Sequence, residues 1–310
     1  MKPTRMAGWK RMHVFISFIL LSLALFQPVN AQPSQPFNDD FETDQGWGSF
    51  EEIVAGSACY GANIAEVTRS TDVAFAGTNS LRVWGNKALS AKSNHVIANK
   101  KVANVGQTGR FRYELYAFIA AETANHGEVG PEFSMQNTRE LAPGQFRTST
   151  VGIQYRANAY SPLYRSWAVW AEVSPGQANW QTFTITTAPT PGAWYFMAVE
   201  ADYTTNQYVR FWLQGPDIDL SLDLSAYHIA PEVKFNEQAF WLTLESENIY
   251  NNCGSAGNYE YKVYYDDIVL RRLDENDIAI AASALSAFPT DDATNIATGQ
   301  KTLFLPLIWR

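Results

Sequence analysis

The chain has 310 residues, of which 46% are hydrophobic and 14% aromatic but only 17% charged, with a formal net charge of −8. So few charges and so many rings exclude a disordered chain. The acidic balance, with no basic stripe to offset it, excludes a nucleic-acid partner, because such a surface repels a phosphate backbone.

Residues 1–31 have the form of a secretory signal peptide. Lys2, Arg5, Lys10 and Arg11 precede an apolar run from Val14 to Phe26, and the small residues Val29 and Ala31 suit a cleavage site. The run has 13 residues, whereas a spanning helix needs about 20. With no second stretch long enough to span, the expectation is a protein secreted to the extracellular side. Residues 32–36, with two prolines, are expected to be a linker.

From residue 37 to 273 the chain is a succession of short β-branched and aromatic runs separated by Gly, Pro, Asn and Ser, which predicts an all-β, two-sheet antiparallel sandwich in a single domain. The clearest strands are 80–84, 109–120, 151–158, 166–173, 181–186, 194–201, 208–214, 239–245 and 259–271. Cys59 and Cys253 occur in turn-like surroundings. In an oxidising compartment an even count favours one disulfide, the alternative being two buried thiols. Neither belongs to a zinc-like spacing. Residues 274–310 form a low-complexity tail that closes on the apolar segment Leu303 to Trp309 and Arg310. This is either a short tag that retains the protein at the cell surface or a last strand docked on the domain.

Three stretches carry a family likeness. Asn38-Asp39-Asp40-Phe41-Glu42, Gly46-Trp47 and Ala76-Gly77-Thr78-Asn79-Ser80-Leu81-Arg82-Val83 resemble the opening of jelly-roll carbohydrate-binding modules. Val263-Tyr264-Tyr265-Asp266-Asp267-Ile268-Val269-Leu270 resembles their closing strand, and residues 192–200 with 208–215 resemble a hairpin of concanavalin A-like and laminin G-like domains. The resemblance implies a concanavalin-like jelly roll similar to secreted bacterial carbohydrate-binding modules. It also implies a structural calcium, for which Asp39, Asp40, Glu42 and Asp267 offer hard oxygen ligands if the first and last strands are neighbours. The alternative is that Asp39 and Asp40 cap a turn.

Strand alternation supplies the candidate sugar site. Trp167, Val169, Ala171 and Val173 form one face of their strand and leave Trp170 outward. Val209, Phe211 and Leu213 likewise leave Tyr208, Arg210, Trp212 and Gln214 outward, and Gln154 and Arg156 share the outer face of theirs. Flat rings stack on the C–H faces of sugar rings while planar polar groups bond hydroxyls. The expected function is therefore glycan binding through Trp170, Tyr208, Arg210, Trp212, Gln214, Arg156 and Gln154. The alternatives are a polysaccharide lyase or glycoside hydrolase of the same fold, and a non-enzymatic adhesive surface protein. For catalysis, the run Asp217 to Asp223 lacks Glu and is read as a loop or cation site, and His95, His126 and His228 are in no Gln-x-His pattern. No GxSxG or phosphate-binding glycine loop is present.

Overall fold

The computed structural model describes residues 34–53, 63–87, 94–103, 105, 108–120, 128–156, 166–183, 185, 188–232, 235–248 and 259–273. The leader, Cys59, Cys253, His126 and the tail lie outside them, so the expectations about secretion, the disulfide and the C-terminal segment fall outside the described residues.

The described residues form sixteen strands: β1 (Ser34–Asp39), β2 (Gly48–Ile53), β3 (Asn63–Ser70), β4 (Ser80–Lys87), β5 (Asn94–Val102), β6 (Arg110–Ile119), β7 (Glu128–Ala142), β8 (Gln145–Arg156), β9 (Ser166–Ser174), β10 (Gln177–Phe183), β11 (Trp194–Asp202), β12 (Gln207–Gln214), β13 (Asp219–Asp223), β14 (Ala230–Glu232), β15 (Ala239–Asn248) and β16 (Tyr259–Leu273). They build the all-β, two-sheet antiparallel sandwich that the sequence predicts. Sheet A runs β13-β12-β11-β6-β16-β4-β3, with β1 also on β16, and sheet B runs β10-β9-β8-β7-β15-β5-β2, with β14 also on β8. β1 starts at Ser34, inside the stretch expected to be a linker, and pairs with the last half of β16, while β4 pairs with its first half.

The core lies between the sheets and is filled by alternate residues of the central strands. Phe111, Tyr113 and Leu115 of β6 and Tyr195, Met197 and Val199 of β11 meet Phe133 and Met135 of β7, Val151 and Ile153 of β8 and Leu242 and Leu244 of β15. Several of the fully buried rings are tyrosines, and each needs a partner for its hydroxyl. Tyr203 donates to Met135 O at 2.8 Å, and Tyr208 donates to Trp170 O at 2.7 Å and accepts from Gly152 N at 2.9 Å. These bonds tie sheet A to the backbone of sheet B, which fixes how the outer face of sheet B is presented.

Tyr208 is therefore a core residue and not part of a sugar site, because the strand changes phase beside it. Glu200 faces Arg210, but the next residue, Ala201, faces Tyr208, so Val209 is the extra residue of a β-bulge. One inserted residue turns every side chain beyond it to the other face. Val173, expected in the core, is exposed near the end of β9. Of the run 217–223, Asp217 precedes the strand and accepts from Tyr195 Oη at 2.5 Å and Thr190 Oγ1 at 2.6 Å, while residues from Asp219 onward form β13 and not a loop.

Candidate functional site

The remaining expected sugar residues separate onto two surfaces. Arg210, Trp212 and Gln214 are on the outer face of sheet A, while Trp170, Gln154 and Arg156 are on the outer face of sheet B. The sheet A set is occupied internally. The Arg112 guanidinium lies 4.5 Å from the centre of the Trp212 ring and bonds Glu200 Oε2 at 2.8 Å, while Arg110 forms an ion pair with Glu200 Oε1. Arg210 donates to Ser221 Oγ at 2.9 Å and Gln214 to Asp219 Oδ1 at 3.0 Å. This face is a cross-strand ladder of paired charges.

The outer face of sheet B is different in kind: it is polar and yet buried. Because Phe133 and Met135 point into the core, Glu132, Ser134, Gln136 and Thr138 of β7 point away from it, and all four are buried. Pairing sets their neighbours. Glu132 lies opposite Glu245 of β15 on one side and Gln154 of β8 on the other, Ser134 lies between Thr243 and Gly152, and Gln136 lies between Trp241 and Thr150. His95 of β5 reaches the first row from the side.

Hydrogen bonds and one close ion-pair contact join these groups into one chain. His95 Nε2 is 2.6 Å from Glu245 Oε2, and Thr243 Oγ1 donates to Glu245 Oε1. Thr243 and Ser134 share a bond of 2.6 Å, and Gln136 Nε2 donates to Ser134 Oγ at 3.0 Å. On the other side Gln154 Nε2 donates to Glu132 Oε2 at 2.6 Å, and Arg156 Nε donates to Gln154 Oε1 at 2.7 Å. At 2.6 Å the His95 ring nitrogen and the Glu245 carboxylate form an ion pair when the ring is protonated. Glu132, which accepts from an amide, is placed to take up a proton.

His95, Glu132 and Glu245 each bring a ligand atom within 4.8 Å of the others, and they are the one such group of metal-ligating side chains among the described residues. A nitrogen with two carboxylates could also hold a divalent cation. The expected calcium residues do not converge in this way, since no three of Asp39, Asp40, Glu42 and Asp267 meet the same distance. Asp39 accepts from Phe41 N at 2.8 Å and Trp47 Nε1 at 2.8 Å, Asp40 accepts from Glu42 N at 3.1 Å, and Glu42 accepts from Thr78 N and Asn79 N at 2.6 and 2.8 Å. Asp39 and Asp40 thus close local turns, and Glu42 holds the distant backbone at 78–79. Burial pushes the Asp267 carboxyl up, and neighbouring Asp40 adds to the effect.

Aromatic rings flank the polar rows. Trp170 of β9 packs edge to face on Trp180 of β10 with centroids 5.3 Å apart, and Trp241 of β15 stacks on Phe235 with centroids 5.4 Å apart. Gly152 keeps the floor low between the walls: a Cβ there would come within 3.3 Å of Trp170 Cβ and 3.4 Å of the Trp180 ring.

No protein-family model matches the sequence, and no curated protein sequence matches it. Solved structures with a similar fold include an endo-β-1,4-glucuronan lyase from the fungus Trichoderma reesei, 12% identical over 77% of this chain and 96% of its own, with a TM-score of 0.49. A putative β-glucanase from Mycobacterium abscessus is 14% identical over 76% of this chain and 100% of its own, with a TM-score of 0.42. A GlcNAcα1-4Gal-releasing endo-β-galactosidase from Clostridium perfringens is 11% identical over 79% of this chain and 63% of its own, with a TM-score of 0.43. Likeness of this size does not transfer a substrate, and the chemistry of the face must decide.

Proposed function

We propose that the chain is a secreted glycan-cleaving enzyme whose reacting groups are His95, Glu245 and Glu132 on the outer face of sheet B. The observation that carries this reading is the 2.6 Å contact between His95 and Glu245 with the Glu132 carboxylate beside it. Breaking a glycosidic bond by acid–base catalysis needs one proton given and one taken. In this reading the His95–Glu245 pair, when protonated, gives its proton to the bridging oxygen as the C–O bond breaks. Glu132 takes a proton from the attacking water or, in an elimination, from the ring carbon next to a carboxylate. Trp170 and Trp180 on the same face suit the C–H faces of sugar rings.

A second reading, glycan binding without cleavage, is favoured by the outward position of Trp170 beside Gln154 and Arg156, three of the residues expected from sequence. One experiment separates the two. The full chain is incubated with neutral and uronate polysaccharides, and new reducing ends, unsaturated ends and binding are all measured. Cleavage that disappears in Glu245→Gln and His95→Ala supports the enzyme. Binding without any product, unchanged in both variants, overturns it in favour of the binding protein.

A further inference from the structure

Beyond the reacting cluster, along β7, three polar atoms on the same face of sheet B are buried and have no hydrogen-bond partner among the described residues: Gln136 Oε1, Trp241 Nε1 and Trp170 Nε1. Gln136 itself is only 5% exposed. A buried polar atom without a partner costs on the order of 1–3 kcal/mol, and such atoms persist where a ligand supplies the bond. One acceptor and two donors thus lie on the same face of the sheet. A sugar hydroxyl can give its proton to Gln136 Oε1 and accept from an indole N–H.

The dimensions suit a single sugar ring. Trp170 and Trp241 stand on β9 and β15, three strand spacings apart, or about 14 Å. Between them the floor is Ser134, Gln136, Thr150, Gly152 and Thr243, none of which is ionisable. At its borders are Glu132 and Glu245 at one end and Glu232, which accepts from Thr150 Oγ1, at the other, with Lys101 5.8 Å from the Trp241 ring centre and Arg156 on Gln154 as the flanking cations. A sugar carboxylate placed over this floor would meet more negative charge than positive, with Lys101 already paired to Glu237 at 2.8 Å.

From this we infer that the floor between Trp170 and Trp241 is a subsite for an uncharged sugar residue, adjoining the reacting groups and recognised through Gln136 and the two indole N–H groups. The inference rests on the glycan reading of the same face. Its test uses Glu245→Gln as an uncleaving background and titrates it with β-1,4-linked hexaoses of glucose, mannose and xylose and with hexauronates. Trp241→Phe and Gln136→Leu are then added singly, with melting temperatures recorded. The expected result is binding of a neutral hexaose that weakens about tenfold in each double variant, with melting unchanged. Trp241→Phe keeps the ring and serves if Gln136→Leu does not fold. Binding of hexauronates alone, binding of nothing, or neutral binding that neither substitution weakens would overturn the subsite. Cleavage by the parent chain together with unaffected neutral binding rejects the subsite and leaves the enzyme standing. Weakened binding in a chain that cleaves nothing supports the subsite and rejects the enzyme.

Discussion

The hydroxyl of Tyr265, on β16 of sheet A, crosses the core and donates to the main-chain carbonyl of Glu245 on sheet B at 2.6 Å. It also accepts from the backbone N–H of Glu132 at 3.2 Å. Both contacts fall where pairing shifts register, between Glu245 and Glu247 and between Val129 and Glu132, so the tyrosine bonds groups that the ladder leaves over. One buried ring thus holds the backbones of both proposed carboxylates from beneath. Burial keeps its phenol pKa well up, so it stays a neutral donor.

Tyr265→Phe removes that support without changing the shape of the core. Stability should fall by about 1–3 kcal/mol, the cost of stranding buried backbone groups. Turnover should fall more than substrate affinity, because the reacting groups lose alignment while the Trp walls remain. Urea unfolding and a kcat against KM comparison check this. A stability loss with unchanged kcat would make Tyr265 a packing residue only.

Glu132 and Glu245 are direct cross-strand neighbours, and both are buried. Like charges so placed destabilise a sheet by about 0.2–1 kcal/mol. Glu132→Gln keeps an oxygen that can accept from Gln154 and removes the repulsion. It should raise the melting temperature slightly while cutting turnover by about 10² or more. A lower melting temperature would show that the carboxylate at 132 is held by something stronger than its neighbour repels it.

The sandwich was legible because its core strands alternate: Phe111, Tyr113 and Leu115, or Met197 and Val199, are apolar at every second position. The site was legible only in part, for three physical reasons. β7 carries Gly130-Pro131 and a polar outward row, so it does not resemble a strand, although Phe133 and Met135 alternating with Glu132, Ser134 and Gln136 are the signal that could have found it. β5, with Asn94, His95, Lys100 and Lys101, is hidden in the same way. The meeting of His95, Glu132 and Glu245 depends on pairings between residues more than a hundred positions apart, which no local pattern encodes. Gln154, Arg156 and Trp170 face outward as expected because β8 and β9 alternate without a bulge there. Tyr208 was misplaced because the bulge at Val209 reverses the phase.

The split of the expected sugar residues onto two faces has its own test. Tyr208→Phe loses the bonds to Trp170 O and Gly152 N and should cost about 1–3 kcal/mol of stability. Trp212→Ala uncovers the Arg112–Glu200 ladder on sheet A and should leave glycan binding and turnover unchanged. Binding that fails in Trp212→Ala while Trp170→Ala binds normally would place the sugar on sheet A and reject sheet B as the site.

Residues 75–79 are held by two carboxylates whose titrations act in opposite directions. Asp266 accepts from Phe75 N at 2.8 Å and Ala76 N at 3.2 Å on Oδ2 and from Asp267 N at 2.8 Å on Oδ1, while Glu42 accepts from Thr78 N at 2.6 Å and Asn79 N at 2.8 Å. Burial pushes Asp266 up to about 6, so the folded state binds its proton more tightly than the unfolded chain does. Its contribution to stability is present below the ordinary value of 3.8 and is lost as pH rises through about 6. The backbone N–H groups of Thr78 and Asn79 hold Glu42 below its ordinary 4.5, so its contribution is present above that value and is lost as pH falls. Asp266→Asn should abolish the decline between about pH 4 and 6 and lower stability throughout, since an amide cannot accept at both positions. Glu42→Gln should leave that decline in place and remove the acid-side loss. Melting temperatures of the three proteins across pH 3–7 check both signs, and a parent stability that rises from pH 4 to 6 as steeply as in Asp266→Asn would show that the three N–H donors outweigh burial at Asp266.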